Sequence, residues 1–259
     1  MSLGLLIRNL IYWLGVAVLT PLCFAGMFVF CWLPRRKRHI FGQTWAVSLL
    51  WLLEHVVGLR YRVVGAGNIP AVPSIICSKH QSGWETLALQ KIFPPQIYVA
   101  KRELLWIPLF GWGLWLTNAI MINRSDRANA NRQMLEQGLA RKELGFWITV
   151  FPEGTRVRPG APGKYKLGAA RMAKQLDMPL VPVAHNAGEF WPRNAFFKHP
   201  GEITVVIGEP ILPEAETGPE GLMKQAEAWI EARQREIGGV GPYADPKERA
   251  ARRACVQPA

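Results

Sequence analysis

Two short stretches of the chain carry residues whose types and spacing could do chemistry. The first is Lys79-His80-Gln81-Ser82-Gly83-Trp84-Glu85, which follows the apolar run Ile75-Ile76-Cys77 and precedes Thr86-Leu87-Ala88-Leu89. Within one regular helix, residues five apart differ by about 140° and do not meet. Across a strand–loop–helix junction they do, with His80 closing the strand and Glu85 entering the first helical turn. Gly83 is expected to allow the turn between them. A carboxylate placed there orients one imidazole nitrogen and stabilises the imidazolium, leaving the other nitrogen as a general base. Taken alone, a surface loop whose His and Glu do nothing together is the plainer explanation of the pair.

The second stretch is Phe151-Pro152-Glu153-Gly154-Thr155-Arg156, directly after the β-rich run Trp147–Phe151. Pro and Gly flank Glu153 in a tight turn at the carboxyl end of a strand, where α/β proteins place ligands. Arg156 offers a planar fork suited to phosphate. Arg158, Lys164 and Lys166 come next, and for those three a solvated basic loop suffices. Cys77 stands three residues before His80, but in a strand the two positions face opposite sides, and a buried Cys acts as a small hydrophobe.

The elements that must hold these residues alternate between strand and helix. Strands are expected at 59–64, 74–78, 96–100, 119–122, 147–151, 180–184 and 203–207. Helices are expected at 85–92, 128–142, 168–176 and 219–237, the last with Pro at its first position and Glu next. The pattern predicts an α/β domain over residues 59–237. Residues 1–58 are expected to be membrane-anchoring helices, and residues 238–259 a basic, disordered tail.

Composition frames this division. The 259 residues are 49% hydrophobic yet carry 31 Lys+Arg against 19 Asp+Glu, a net charge of +12 with a mean hydropathy of +0.06. A nucleic-acid protein would explain the charge but not the hydropathy; a protein on an anionic membrane surface explains both. From Asn9 to Leu33 no residue is charged, and Arg35-Arg36-Lys37-Arg38 comes directly after Pro34. That run is long enough to cross a bilayer, although Pro21 could divide it into a re-entrant pair of short helices. The basic cluster places itself and the remainder of the chain on the cytoplasmic side. Ile40 to Leu59, with Trp45 and Trp51, reads as an interfacial helix. Trp106 to Ile122 is a further uncharged run, fit to line an apolar channel, to rest on the bilayer or to pack as an ordinary core helix and strand. The 4 cysteines show no CxxC and no zinc spacing, so neither a disulfide framework nor a metal site is expected.

Together the motifs resemble the 1-acylglycerol-3-phosphate O-acyltransferases of bacterial type, within the wider glycerolipid acyltransferases. His80-x4-Glu85 is similar to the catalytic His-x4-acid block, with Glu where the family usually has Asp. Ile122-Asn123-Arg124 resembles the second block, Phe151 to Arg156 matches the third in full, and Leu180-Val181-Pro182-Val183 resembles the fourth. The resemblance implies a mixed sheet flanked by helices, and transfer of a fatty acyl group from acyl-CoA or acyl carrier protein to a lysophospholipid hydroxyl. It implies catalytic roles for His80 and Glu85, with the acceptor bound by Lys101, Arg124, Glu153, Gly154, Thr155 and Arg156. No cofactor, metal or nucleic-acid partner is expected; anionic membrane lipids are, at the inner membrane of a bacterium. Rival readings are a lyso-aminolipid acceptor, an acyl-ester hydrolase, and a non-catalytic basic binder of membrane or nucleic acid.

Overall fold

The structure, a computed structural model, describes residues 2–123 and 126–256. Seven strands form one sheet in the order β1-β7-β6-β2-β5-β3-β4. They are β1 (Leu59–Val64), β2 (Ile75–Ser78), β3 (Gln96–Lys101), β4 (Ile120–Ile122), β5 (Trp147–Val150), β6 (Leu180–His185) and β7 (Gly201–Ile207). Neighbours run parallel except β6 and β7, so the sheet is mixed. The central strands β2, β5 and β6 are buried at every position. Such near-continuous apolar runs are what parallel strands covered on both faces require.

Alternate side chains separate the two layers. Ile75, Cys77, Ile148 and Leu180 pack beneath α6 (Gly168–Gln175) and α7 (Pro219–Ile237), with Met172, Leu222 and Ile230. Ile76, Trp147, Val181 and Val183 face the other way, against Trp84 and Leu87 of α3 (Trp84–Ile92) and Leu50 of α2 (Arg35–Leu52). Helix α5 (Arg127–Glu143) completes the first layer, with Met134 in its core. Cys77 is fully buried in that layer, and burial raises its thiol pKa.

The amino-terminal segment is a single helix, α1 (Leu3–Val29), which continues through Pro21 rather than dividing there. One missing N–H is tolerated because the helix is held on both sides of the proline. Before it, Trp45 of α2 donates to Thr20 and the side chain of Asn9 is buried against the Lys198 backbone; after it, Phe24 packs on Trp112. Both α1 and the α2 segment are long and apolar enough to cross a membrane. A row of apolar side chains on α1 faces outward: Leu3, Ile7, Leu10, Leu14, Val18 and Leu22 are all exposed.

The tail departs from the expected disorder. Glu189 accepts the backbone N–H groups of Gly239, Val240 and Gly241, and α8 (Pro246–Val256) comes after them. Arg252 then donates to the carbonyls of Glu236 and Gly238 at the end of α7. Charged residues that read as a solvated tail cap a helix carboxyl end instead.

Candidate active site

The two motifs meet beyond the carboxyl ends of β2 and β5. His80 Nδ1 lies 2.8 Å from Glu85 Oε1. The same oxygen accepts the amides of Gln81 (2.9 Å) and Ser82 (2.8 Å), and Ser82 also reaches Oε2 at 3.1 Å. The loop is thus wrapped around the carboxylate, which Glu85 brings back from the first turn of α3. Burial alone would raise the Glu85 carboxyl; the His185 ring, the His80 hydrogen bond and the Ser82 amide outweigh it and hold the carboxyl below its ordinary value. With Nδ1 engaged, Nε2 is the nitrogen of His80 left for a substrate hydroxyl. The ring stacks on Phe151 at 4.0 Å, and Phe151 stacks in turn on Tyr98.

Gly83 has φ −81°, which any residue adopts, so the turn does not need its freedom. Space there is tight: a Cβ would lie 3.3 Å from the Trp191 ring, which would have to give by a few tenths of an ångström. Gly154 does require glycine, at φ +69°, in the turn after β5.

His80, Phe151 and Arg156 line one cavity of about 310 Å³ whose walls are mostly apolar. It runs between the sheet and the amino-terminal helices, past Phe24 and Met27 of α1 and Trp45 of α2. Leu104, Leu109 and Leu114 close another side, from the segment 102–109 and helix α4 (Phe110–Leu116). In the same segment Trp106, Ile107, Trp112 and Trp115 are exposed. The aromatic run therefore has two faces, one lining the cavity and one turned outward. Arg156 Nε is shielded from solvent without a hydrogen-bond partner.

The remaining expected site residues are distributed differently. Thr155 is exposed and accepts from Arg193 at 3.2 Å. Lys101 is exposed at the end of β3, and Arg124 lies outside the described residues. Glu153 does not line the cavity: its side chain, 1% exposed, turns inward to Lys79 at 3.2 Å. Lys79 also pairs with Glu231 of α7 at 2.6 Å, and Tyr165 donates to the same carboxylate. Sequence reading missed Lys79, Glu231 and His185. Glu231 sits on the polar side of an amphipathic helix 152 positions from Lys79, with no local signal. Lys79 could have been noticed as a cation adjoining His80 at the end of a buried strand.

The arrangement supplies a carboxylate-oriented imidazole, an apolar cavity and a guanidinium in its lining. The acyltransferase family matches residues 60–186. The 1-acyl-sn-glycerol-3-phosphate acyltransferase of Pseudomonas aeruginosa is 43% identical over 212 residues, 80% of this chain and 82% of the relative. This chain belongs to that acyltransferase family. The human 1-acyl-sn-glycerol-3-phosphate acyltransferase beta is 30% identical over 77% of this chain and 74% of its own length. The crystal structure of the 1-acyl-sn-glycerophosphate (LPA) acyltransferase PlsC from Thermotoga maritima shares the fold, with TM-score 0.74 over 90% of this chain and 95% of that one, at 22% identity. Its mixed sheet with flanking helices is the architecture expected here from the motifs.

Proposed function

We propose that this acyltransferase moves a fatty acyl group from a thioester, carried by CoA or by acyl carrier protein, to the sn-2 hydroxyl of 1-acyl-glycerol-3-phosphate, forming phosphatidic acid. The observation that carries the reading is that His80, already oriented by Glu85, faces the same apolar cavity as Arg156. His80 Nε2 takes the hydroxyl proton as the oxygen attacks the thioester carbonyl. The carbon–sulfur bond breaks, and the imidazolium returns its proton to the departing thiolate. A thioester is already activated, so no protein nucleophile is needed, and buried Cys77 with its raised pKa is unsuited to that role. Arg156 holds the acceptor phosphate, with Lys101 and Arg124 as further cations toward the same group. Gly154 and Thr155 shape the turn, and Glu153 supports it from beneath. The apolar cavity takes a hydrocarbon chain.

Helix α1 touches the α/β domain in both of its halves, through Trp13 on Phe196 and through Phe24 on Trp112. This favours a helix lying against one leaflet, its exposed apolar row and the outward tryptophans in lipid, over an isolated span. The Arg35–Arg38 cluster suits anionic headgroups on the cytoplasmic face.

The test is an assay of the purified full-length protein with lysophosphatidic acid and other lysolipids, offering acyl-CoA and acyl carrier protein thioesters in turn. Transfer to lysophosphatidic acid is expected, falling about 10²- to 10⁴-fold in His80→Ala. A folded enzyme that acylates no lysolipid, or an active His80→Ala, would overturn the reading. Thioester or ester cleavage without any need for an acceptor would mark a hydrolase.

A further inference from the structure

The Glu85 carboxylate has a second imidazole on its far side. His185 closes β6, and its side chain is 1% exposed. The amide of Ala187 approaches its Nδ1 at 3.3 Å, which makes Nδ1 the acceptor and puts the proton on Nε2. Nε2–H then donates to the carbonyl of Lys79 at 2.8 Å. Burial lowers the pKa of this ring, more than the nearby Glu85 carboxylate and the Lys79 carbonyl raise it.

The place of that bond matters. Lys79 donates its N–H to the Val183 carbonyl, one step beyond the paired residues Ser78 and Val183. Were the parallel ladder to continue, the Lys79 carbonyl would accept from the backbone amide of residue 185. The His185 ring takes that carbonyl instead, ending the ladder where the chain must turn outward to bring His80 over Glu85. The next residues are clamped as well. Gln81 accepts from the Gly188 amide and donates to Gln234, and Gln234 donates to the His185 carbonyl. His185 Nε2 is also 4.0 Å from Glu85 Oε2. That is beyond hydrogen-bond range, yet near enough in a buried site for the positive end of an N–H to act on the carboxylate. His80 lines the cavity and His185 does not, so any influence on the reaction passes through the pair.

We infer that His185 is a positioning residue for the His80–Glu85 pair, fixing the backbone from which His80 projects and biasing the carboxylate that orients it. The inference rests on the proposed acyl transfer, and its test separates the two. Full-length wild type, His185→Leu and His185→Gln are assayed with lysophosphatidic acid and acyl-CoA in detergent micelles, with rates expressed per folded molecule from circular dichroism and thermal melts. In His185→Leu, kcat is expected to fall about 10- to 100-fold, the loss that a displacement of about 1 Å brings. Both KM values are expected to stay within about twofold. Removing the N–H leaves the carboxylate pulling harder on His80, so the acid limb of the kcat profile moves to higher pH. His185→Gln keeps an N–H that can reach the Lys79 carbonyl, and part of kcat returns. A His185→Leu enzyme with wild-type kcat, a loss confined to KM, or a loss that Gln leaves untouched would overturn the assignment while leaving acyl transfer intact. If His185→Leu does not fold, the comparison passes to His185→Gln against the shorter His185→Asn, and equal kcat values overturn it. Absence of transfer by the wild type would refute the parent reading instead.

Discussion

The Lys79 ammonium lies 3.2 Å from the Glu153 carboxylate, with both side chains 1% exposed. This ion pair joins the residue next to His80 to the turn that carries Arg156. His80 and Arg156, the proposed base and phosphate-binding arm, are therefore fixed to each other from beneath, by a pair that does not line the cavity. Lys79→Met leaves both Glu153 and Glu231 without their cation, and breaking a buried pair from one side costs about 3–5 kcal/mol. Glu153→Gln keeps the Lys79–Glu231 contact at 2.6 Å and is expected to lose less. Thermal melts in detergent should rank wild type above Glu153→Gln and Glu153→Gln above Lys79→Met; the reverse order of the variants would contradict the network.

The same carboxyl sets a pH dependence. Burial pushes Glu153 up to about 7, against the pull of Lys79. Between its ordinary value of 4.5 and about 7, the folded state keeps a proton that the unfolded chain has released. This contribution to stability is complete below 4.5 and is lost as pH rises through about 7. The melting temperature of wild type relative to Glu153→Gln should fall across that window and then level off. A flat difference would mean that Glu153 is already ionised at low pH.

Glu85 must accept from one imidazole and two backbone amides at once, which makes both charge and reach matter. Glu85→Ala is expected to lose about 10²- to 10³-fold in kcat, and Glu85→Asp much less, because it keeps the charge. Equal rates for the two variants would remove the orienting role.

Arg156 brings a partnerless Nε to the cavity that His80 lines. Arg156→Lys keeps the charge but loses the planar fork, and KM for a phosphate-bearing acceptor should rise about tenfold, equivalent to about 1.4 kcal/mol. Steady-state kinetics with each substrate varied in turn would show it. A change confined to the acyl donor would move Arg156 to the other half of the reaction.

Asn9 binds the Lys198 backbone from both sides, accepting its N–H at 2.8 Å and donating to its carbonyl at 3.1 Å. The Lys198 ammonium is itself enclosed by the rings of Tyr12, Trp13 and Trp191. Asn9→Leu strands two buried backbone groups, each at about 1–3 kcal/mol, so a clear drop in melting temperature is expected. An unchanged melt would show that the helix detaches at no cost to the domain.

What could be read from the sequence was what repeats locally. Helix α7 begins and ends at Pro219 and Ile237 as its composition indicates, and each strand appears within a residue or two of its apolar run. The junction that brings His80 to Glu85 was legible because a strand end and a helix start are short-range signals, although the turn between them does not use the conformational freedom of Gly83. Pairings set by topology left no such trace. Lys79 with Glu231, or His185 with the Lys79 carbonyl, depend on β6 lying beside β2 and on α7 packing against β6. The inward turn of Glu153 was hidden for the same reason, since its partner stands on another strand's end. The tail misled because Arg and Lys look alike in sequence whether they meet water or a helix carboxyl end.

The cavity wall built from Phe24, Met27 and Trp45 gives the amino-terminal helices a second identity. They are part of the container as well as the proposed mooring. A protein cut back to begin at Leu59 would not be the same enzyme set adrift, because one side of its cavity would be open to water. Extracting the whole protein into detergent and truncating it are therefore different perturbations: the first changes where the container sits, and the second breaks it.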